Sequence, residues 1–196
     1  MRSRWLVLGG AAVLASTLSG CLFPLVAGGA VGATMVATDR RATGTYLNDQ
    51  TIELKAESQI KTNLPTAHVN VTSFNQTALM TGEVPSEDAR REAERVVRAT
   101  PSVRRVQNYT VVEPASTLGQ RNNDAWVTTK VRARLMDGKG YAPQALKVVT
   151  ERGVTYLMGL VTHTEGDAAT TVVSETAGVL KVVTLFEYIN DVPAAQ

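Results

Sequence analysis

The chain carries "MTGEV" at Met80 to Val84 and "LMGLV" at Leu157 to Val161. Each is an apolar run of strand length with one glycine inside it. A glycine within a strand marks a bulge or the close approach of another backbone. The surroundings of the two runs also match. Upstream of the first, Ala56, Ile60 and Leu64 recur at helical spacing, and Val69 and Val71 alternate as on a strand. Upstream of the second, Val127, Val131 and Leu135 occupy the matching places, with Ile60 aligned on Val131 and Leu64 on Leu135. Downstream, "VRRVQNYTVV" (Val103 to Val112) answers "VLKVVTLFEYI" (Val179 to Ile189). Such self-similarity is the signature of one supersecondary unit present twice.

Each unit reads helix, strand, strand, helix, strand. "SFNQT" (Ser73 to Thr77) and Glu151-Arg152-Gly153 supply the hairpin turns. Ser86 is placed to cap the second helix of unit one, with Glu87 and Asp88 at its positive end. Ala89, Ala93, Val96 and Val97 give that helix one apolar face, and Thr164 with Asp167 resembles a capping box in unit two. The fold class is therefore α+β: two tandem αββαβ modules, each with two helices packed on a three-stranded mixed sheet. The expected boundaries are residues 49–113 and 123–191, with a linker over 114–122.

The first 48 residues read differently. Arg2 and Arg4 precede an apolar run, Trp5 to Leu18, followed by "LSGC" at Leu18 to Cys21. A basic start, a short apolar stretch and small residues before a cut site describe a secretory signal over residues 1–20. The run is shorter than the roughly 20 residues that span a bilayer. "LSGC" resembles the lipobox of bacterial lipoproteins, which implies cleavage before Cys21 and acylation of its thiol and new amino group. Leu22 follows it, not the Asp that resembles an inner-membrane retention signal, so the expected location is the periplasmic leaflet of the outer membrane, lipid-anchored. Residues 21–48 are Gly- and Ala-rich and read as a lipidated N-terminus and flexible tether. Cys21 is the one cysteine of the chain, which excludes disulfides.

Removing residues 1–20 takes away Arg2 and Arg4 and leaves the basic and acidic side chains equal in number. The sequence pI of 8.8 thus belongs to the precursor. Global basicity does not drive binding to nucleic acid, and any anion recognition has to be local. No catalytic constellation is visible. His68 and His163 each lack a second ligand nearby in sequence and read as surface residues, so no metal or cofactor is expected. "GAVGAT" (Gly29 to Thr34) has no Lys after it and no strand before it, and Glu92, Glu94, Arg95 and Arg98 form a solvated helix face.

One helix departs from its sibling. "NNDAWVTTKVRARLM" (Asn122 to Met136) reads as a helix opened by an Asn cap, with Asp124 in its first turn. At about 100° per residue, Val127, Val131 and Leu135 form the core stripe. Trp126, Thr129, Ala133 and Met136 form a second uncharged stripe on the far side, flanked by Lys130 and Arg132, with Lys139 and Tyr141 in the loop that follows. In the alignment above, unit one carries Lys55, Ser58, Thr62 and Pro65 at those places. An aromatic and a Met bordered by cations suit a membrane interface. The same patch is also open to docking on outer-membrane assembly, division or cell-wall factors.

The helix–strand–strand–helix–strand order, the "TG.V" and "MG.V" runs and "SV..V.N" (Ser102 to Asn108) or "GV..V" (Gly178 to Val182) resemble the BON-domain family. Ser102 stands where the usual Gly would, a departure that unit two does not share. With the lipobox and tether, the chain resembles dual BON-domain outer-membrane lipoproteins of Gram-negative bacteria, most specifically in "DRRATGT" (Asp39 to Thr45), "NDAWVTTKVR" (Asn123 to Arg132) and "LMGLVT" (Leu157 to Thr162). The resemblance implies binding of anionic phospholipid through the second unit, and a role in outer-membrane integrity and at the division site.

Overall fold

The computed structural model describes residues 40–190. The signal segment, Cys21 and the start of the tether lie outside the described residues. Unit one comprises α1 (Thr43–Asn63), β1 (His68–Phe74), β2 (Thr77–Val84), α2 (Glu87–Arg98), β3 (Arg105–Asn108) and β4 (Val111–Val112). Unit two comprises α3 (Leu118–Asp137), a 3-10 turn (Pro143–Ala145), β5 (Leu146–Glu151), β6 (Val154–Val161), α4 (His163–Ser174) and β7 (Lys181–Tyr188). In each sheet the hairpin pairs antiparallel and the last strand pairs parallel to the middle one. In unit one that last strand is broken: Asn108 Oδ1 accepts from the Thr110 amide at 3.1 Å, turning the chain before β4 resumes along β2.

Both hairpins use two-residue turns with left-handed residues, Asn75 and Gln76 in one, Arg152 and Gly153 in the other. That geometry matches the twist of the strands. Each turn is gripped by an aspartate from the first helix. Asp49 accepts from the Asn75 and Gln76 amides at 2.8 and 2.7 Å, and Asp124 from the Arg152 and Gly153 amides at 2.8 and 3.0 Å. Asp49 also pairs with Arg41 at 2.8 Å.

These two aspartates fix the true register of the repeat. Asp49 answers Asp124, and Ile52, Ala56 and Ile60 answer Val127, Val131 and Leu135; all six apolar residues are buried. The sequence alignment of Ile60 with Val131 is thus one helical turn out. The helix starts were misread for the same reason. Asp124 faces inward in the middle of α3, and the true cap is Thr117, whose capping box with Gln120 opens the helix. Residues 118–122, read as linker, and 43–48, read as tether, are helical. In α4 the capping box is Thr162 with Glu165, two residues before the pair expected. Ser86 does cap α2, accepting from the Ala89 amide at 3.2 Å.

Gly82 has φ +103°, and a Cβ there would stand 2.1 Å from the His68 carbonyl oxygen. The glycine of "MTGEV" is therefore a close backbone approach. Its counterpart Gly159 lacks the positive φ and is less tightly crowded, by Leu146 at 2.8 Å and the Ala145 carbonyl at 3.0 Å.

Helix-side cores form in each unit, around Ile52, Ala56, Val71 and Met80 in one and Val127, Val131, Leu157 and Val173 in the other. A third core, of Phe74, Leu79, Tyr156 and Met158, joins the outer faces of the two sheets. Alternation explains it: Ala78 and Met80 of β2 face the helices while Leu79 faces the other unit, so every residue of β2 is buried. The layers run helices, sheet, sheet, helices. A polar seam borders this apolar centre. Arg40 forms a bidentate pair with Glu165 at 2.6 and 2.7 Å and donates to the Leu160 carbonyl, Lys147 pairs with Glu53, and Asn75 donates to Glu187.

Candidate functional site

The site is the outward face of α3. Burying Val127, Val131 and Leu135 against β5 and β6 turns the opposite side of a 20-residue helix to solvent. On that side lie Trp126, which is 61% exposed, Thr129 and Ala133, both exposed, and Met136, which is 62% exposed. These four do share one face. Because α3 begins at Leu118, the face is two turns longer than the sequence reading gave. Leu118, at 75% exposure, and Asn122 continue the uncharged stripe toward the N-terminus. Leu118 was missed because the helix start was set too late; the signal that could have found it is the Thr117–Gln120 capping box.

Cations flank the stripe on both sides. Lys130 donates to the Ala177 carbonyl, and Arg132 donates to the Val148 carbonyl at 3.0 Å. Each is steadied at the edge of the face with donors to spare. Arg121 lies on the same flank as Arg132 and Arg134 on the flank of Lys130. They bond Ser116 Oγ at 3.1 Å and the Glu175 carbonyl at 2.6 Å, and neither was singled out from sequence. Lys139 is exposed beyond the helix end. Asp137 is the one acid on the face, at its C-terminal edge.

Tyr141 stands apart from the exposed stripe. It is half-buried, packs against the unit-two core, and has a buried hydroxyl at the place a Gly138 side chain would occupy. Burial pushes its hydroxyl pKa up. Its exposure was overestimated because a residue in a glycine-rich loop was read as solvent-facing.

The corrected register moves the contrast between siblings from the stripe to its flank, since Leu47 and Leu54 of α1 are exposed as well. Positions of α1 matching Trp126, Thr129, Ala133 and Met136 are Thr51, Leu54, Ser58 and Lys61, and the match to Arg132 is Glu57. Glu57 and Glu53 accept from the Val71 and Ser73 amides, at 3.2 and 2.7 Å, so α1 spends acids on the edge of β1. In α3, Thr128 takes over from Glu53, accepting from the Thr150 amide at 3.0 Å. One helix thus has acids along its flank where the other has none. His163 is a surface residue as read, its exposed ring stacked on Tyr188 with centroids 3.9 Å apart, whereas His68 is partly buried and bonds Glu83 at 2.8 Å. Among the described residues no helix is long and apolar enough to cross a membrane.

The model of the BON domain matches residues 48–114 and 123–190. The chain belongs to the BON-domain family. Over 177 residues it is 35% identical to outer membrane lipoprotein DolP of Haemophilus influenzae, covering 88% of this chain and 91% of that one. A 21 kDa hemolysin of Actinobacillus pleuropneumoniae is 27% identical over 158 residues, 78% of this chain and 80% of that one. Among solved structures, the C-terminal domain of CdsD, a structural protein of the type III secretion system of Chlamydia trachomatis, is 16% identical over 70% of this chain and 96% of that one. Its TM-score of 0.31 is too low to carry an argument. The two BON units are the two sheet-and-helix bodies described above, and the likeness to DolP runs through both.

Proposed function

We propose that this chain is a non-enzymatic outer-membrane lipoprotein, held by acylated Cys21 in the periplasmic leaflet, that binds anionic phospholipid through α3 of its second BON unit and so supports envelope integrity, including at the division site. The observation that carries the reading is the stripe Leu118–Asn122–Trp126–Thr129–Ala133–Met136, with its exposed Trp and Met, between Arg121, Arg132, Lys130 and Arg134; the sibling helix also exposes a largely uncharged stripe but has Tyr46, Glu57 and Gln59 where three of those cations stand. The likeness to an outer-membrane lipoprotein supports the location. An amphipathic helix of this kind lies in the interface plane, apolar face toward the acyl chains and cations at the phosphates.

The magnitudes suit a tethered domain. Immersing about 100 Å² of Trp126 contributes roughly 2.5 kcal/mol. Basic groups near an anionic leaflet add about 1 kcal/mol each at best. A total on the order of 5 kcal/mol corresponds to a sub-millimolar affinity for the free domain. An acyl anchor raises the effective concentration enough to make that contact persistent. In this division of labour Cys21 places the protein and α3 selects where it dwells. Flotation of the unlipidated chain, begun at residue 21 with Cys21→Ser, tests the reading. Co-migration with vesicles containing anionic phospholipid, and not with purely zwitterionic ones, is expected. Failure to float with either would leave the same face to a protein partner.

A further inference from the structure

A second cluster forms where the two units meet. His68 opens β1 and Glu83 lies across from it on β2, while Glu151 ends β5 of the other unit. One oxygen of each carboxylate and a ring nitrogen of His68 all lie within 4.8 Å of one another. Glu83 and Glu151 are buried, at 1% and 7% exposure. His68 and Glu151 line a cleft of about 460 Å³ whose opposite wall is α3 at Ala125, Thr128 and Thr129. The cluster is thus buried at its base and reachable from solvent.

We propose that His68, Glu83 and Glu151 form a divalent-cation site, suited to Zn²⁺, that bridges the two BON units. Three observations converge on it. The first is the donor set: an imidazole nitrogen and carboxylate oxygens are both ligand types that zinc takes, and three of them leave the cleft side for water. Bonds of about 2.0–2.2 Å set tetrahedral donors roughly 3.4 Å apart, so His68 and Glu83, now at 2.8 Å, part slightly while Glu151 closes in. The second is charge. Glu151 receives a hydrogen bond from Asn70 at 2.8 Å, a neutral donor, and both Glu83 and Asp124 crowd it with like charge. A dication removes that imbalance. The third is orientation. Asn70 steadies Glu151, Arg152 bonds one oxygen of Glu83 at 3.2 Å, and the Ser116 amide bonds the other at 3.1 Å. Such outer partners aim ligands in established metal sites.

Zn²⁺ takes the place of the His68–Glu83 hydrogen bond. Nδ1 becomes a ligand, and the ring keeps its proton on Nε2. The nitrogen donor disfavours Mg²⁺, which prefers oxygen and retains its waters. Because one ligand comes from unit two and two from unit one, the ion would brace the wall of the cleft that α3 forms.

Titration of Zn²⁺ into the chelator-treated chain, begun at residue 21 with Cys21→Ser to remove the competing thiol, tests this. One ion per chain is expected, with a rise in melting temperature of roughly 5–10 °C at a hundredfold excess over Kd. His68→Ala and Glu151→Gln should each weaken binding at least about tenfold, while His163→Ala, the other histidine, binds as the parent. In the parent protein the His68 ring resonances should shift on adding Zn²⁺ and those of His163 should not, a readout that needs no variant to fold. Absence of stoichiometric binding, unchanged affinity in the His68 and Glu151 variants, or shifts confined to His163 would overturn the site.

Discussion

Two aspartates and one serine show how much single side chains decide here. Asp49 and Asp124 each satisfy two turn amides that no strand partner reaches, and they do so from buried helix positions. Asp124→Ala leaves the Arg152 and Gly153 amides without their acceptor, at a cost of about 2 kcal/mol or more by urea unfolding. Asp124→Asn keeps one acceptor oxygen and should lose less. Ser102 has φ +72°, in the place where unit two has Gly178 with φ +100°. A left-handed non-glycine residue is strained, so Ser102→Gly is expected to raise stability by up to about 1 kcal/mol. The same fold at Gly178 accepts no side chain, since a Cβ would stand 2.8 Å from Val127.

Among the elements, α3 buries a core stripe on one face and exposes the proposed lipid-binding stripe on the other. Leu135→Ala should cost roughly 2–5 kcal/mol, because the residue is buried in the unit-two core. A change below about half a kcal/mol would mean that α3 packs by another stripe. The αββαβ order, the core stripe of α3 and the exposure of Trp126 were legible in the sequence, because period 3.6, period 2 and turn residues are local signals. Helix starts and repeat register were not. An inward aspartate looks like a first-turn acid when the turn it grips lies far along the chain. His68 read as solitary for a related reason, since Glu83 and Glu151 reach it only through strand pairing and unit packing. Tyr141 read as exposed because a loop residue that folds back over Gly138 leaves no periodic trace.

The whole molecule is two BON units joined by sheet faces, and that arrangement had no signal in either unit alone. "LMGLV" looks like an ordinary buried strand, yet Met158 serves the joint and Leu157 the helix-side core. Met158→Asp places a charge among Phe74, Leu79 and Tyr156, and should part the units, read as an increased radius of gyration by small-angle scattering with the helix content retained. Arg40 ties the start of the described chain to unit two through Glu165, whose carboxyl its hydrogen bonds hold below the ordinary 4.5. A lowered folded pKa gives stability that is present above 4.5 and is lost as pH falls through the folded value. The stability difference between wild type and Arg40→Ala should therefore be constant near neutrality and shrink below about pH 4.5.

The central claim is that the exposed face of α3 meets lipid. Charge at its middle tests it most directly: flotation of the Cys21→Ser chain carrying Trp126→Glu with vesicles containing anionic phospholipid, beside Thr51→Glu at the matching place of α1. Loss of vesicle binding for Trp126→Glu, with an unchanged melting temperature and with Thr51→Glu floating as its parent, is the predicted result. Binding by Trp126→Glu equal to that of its parent would contradict the account.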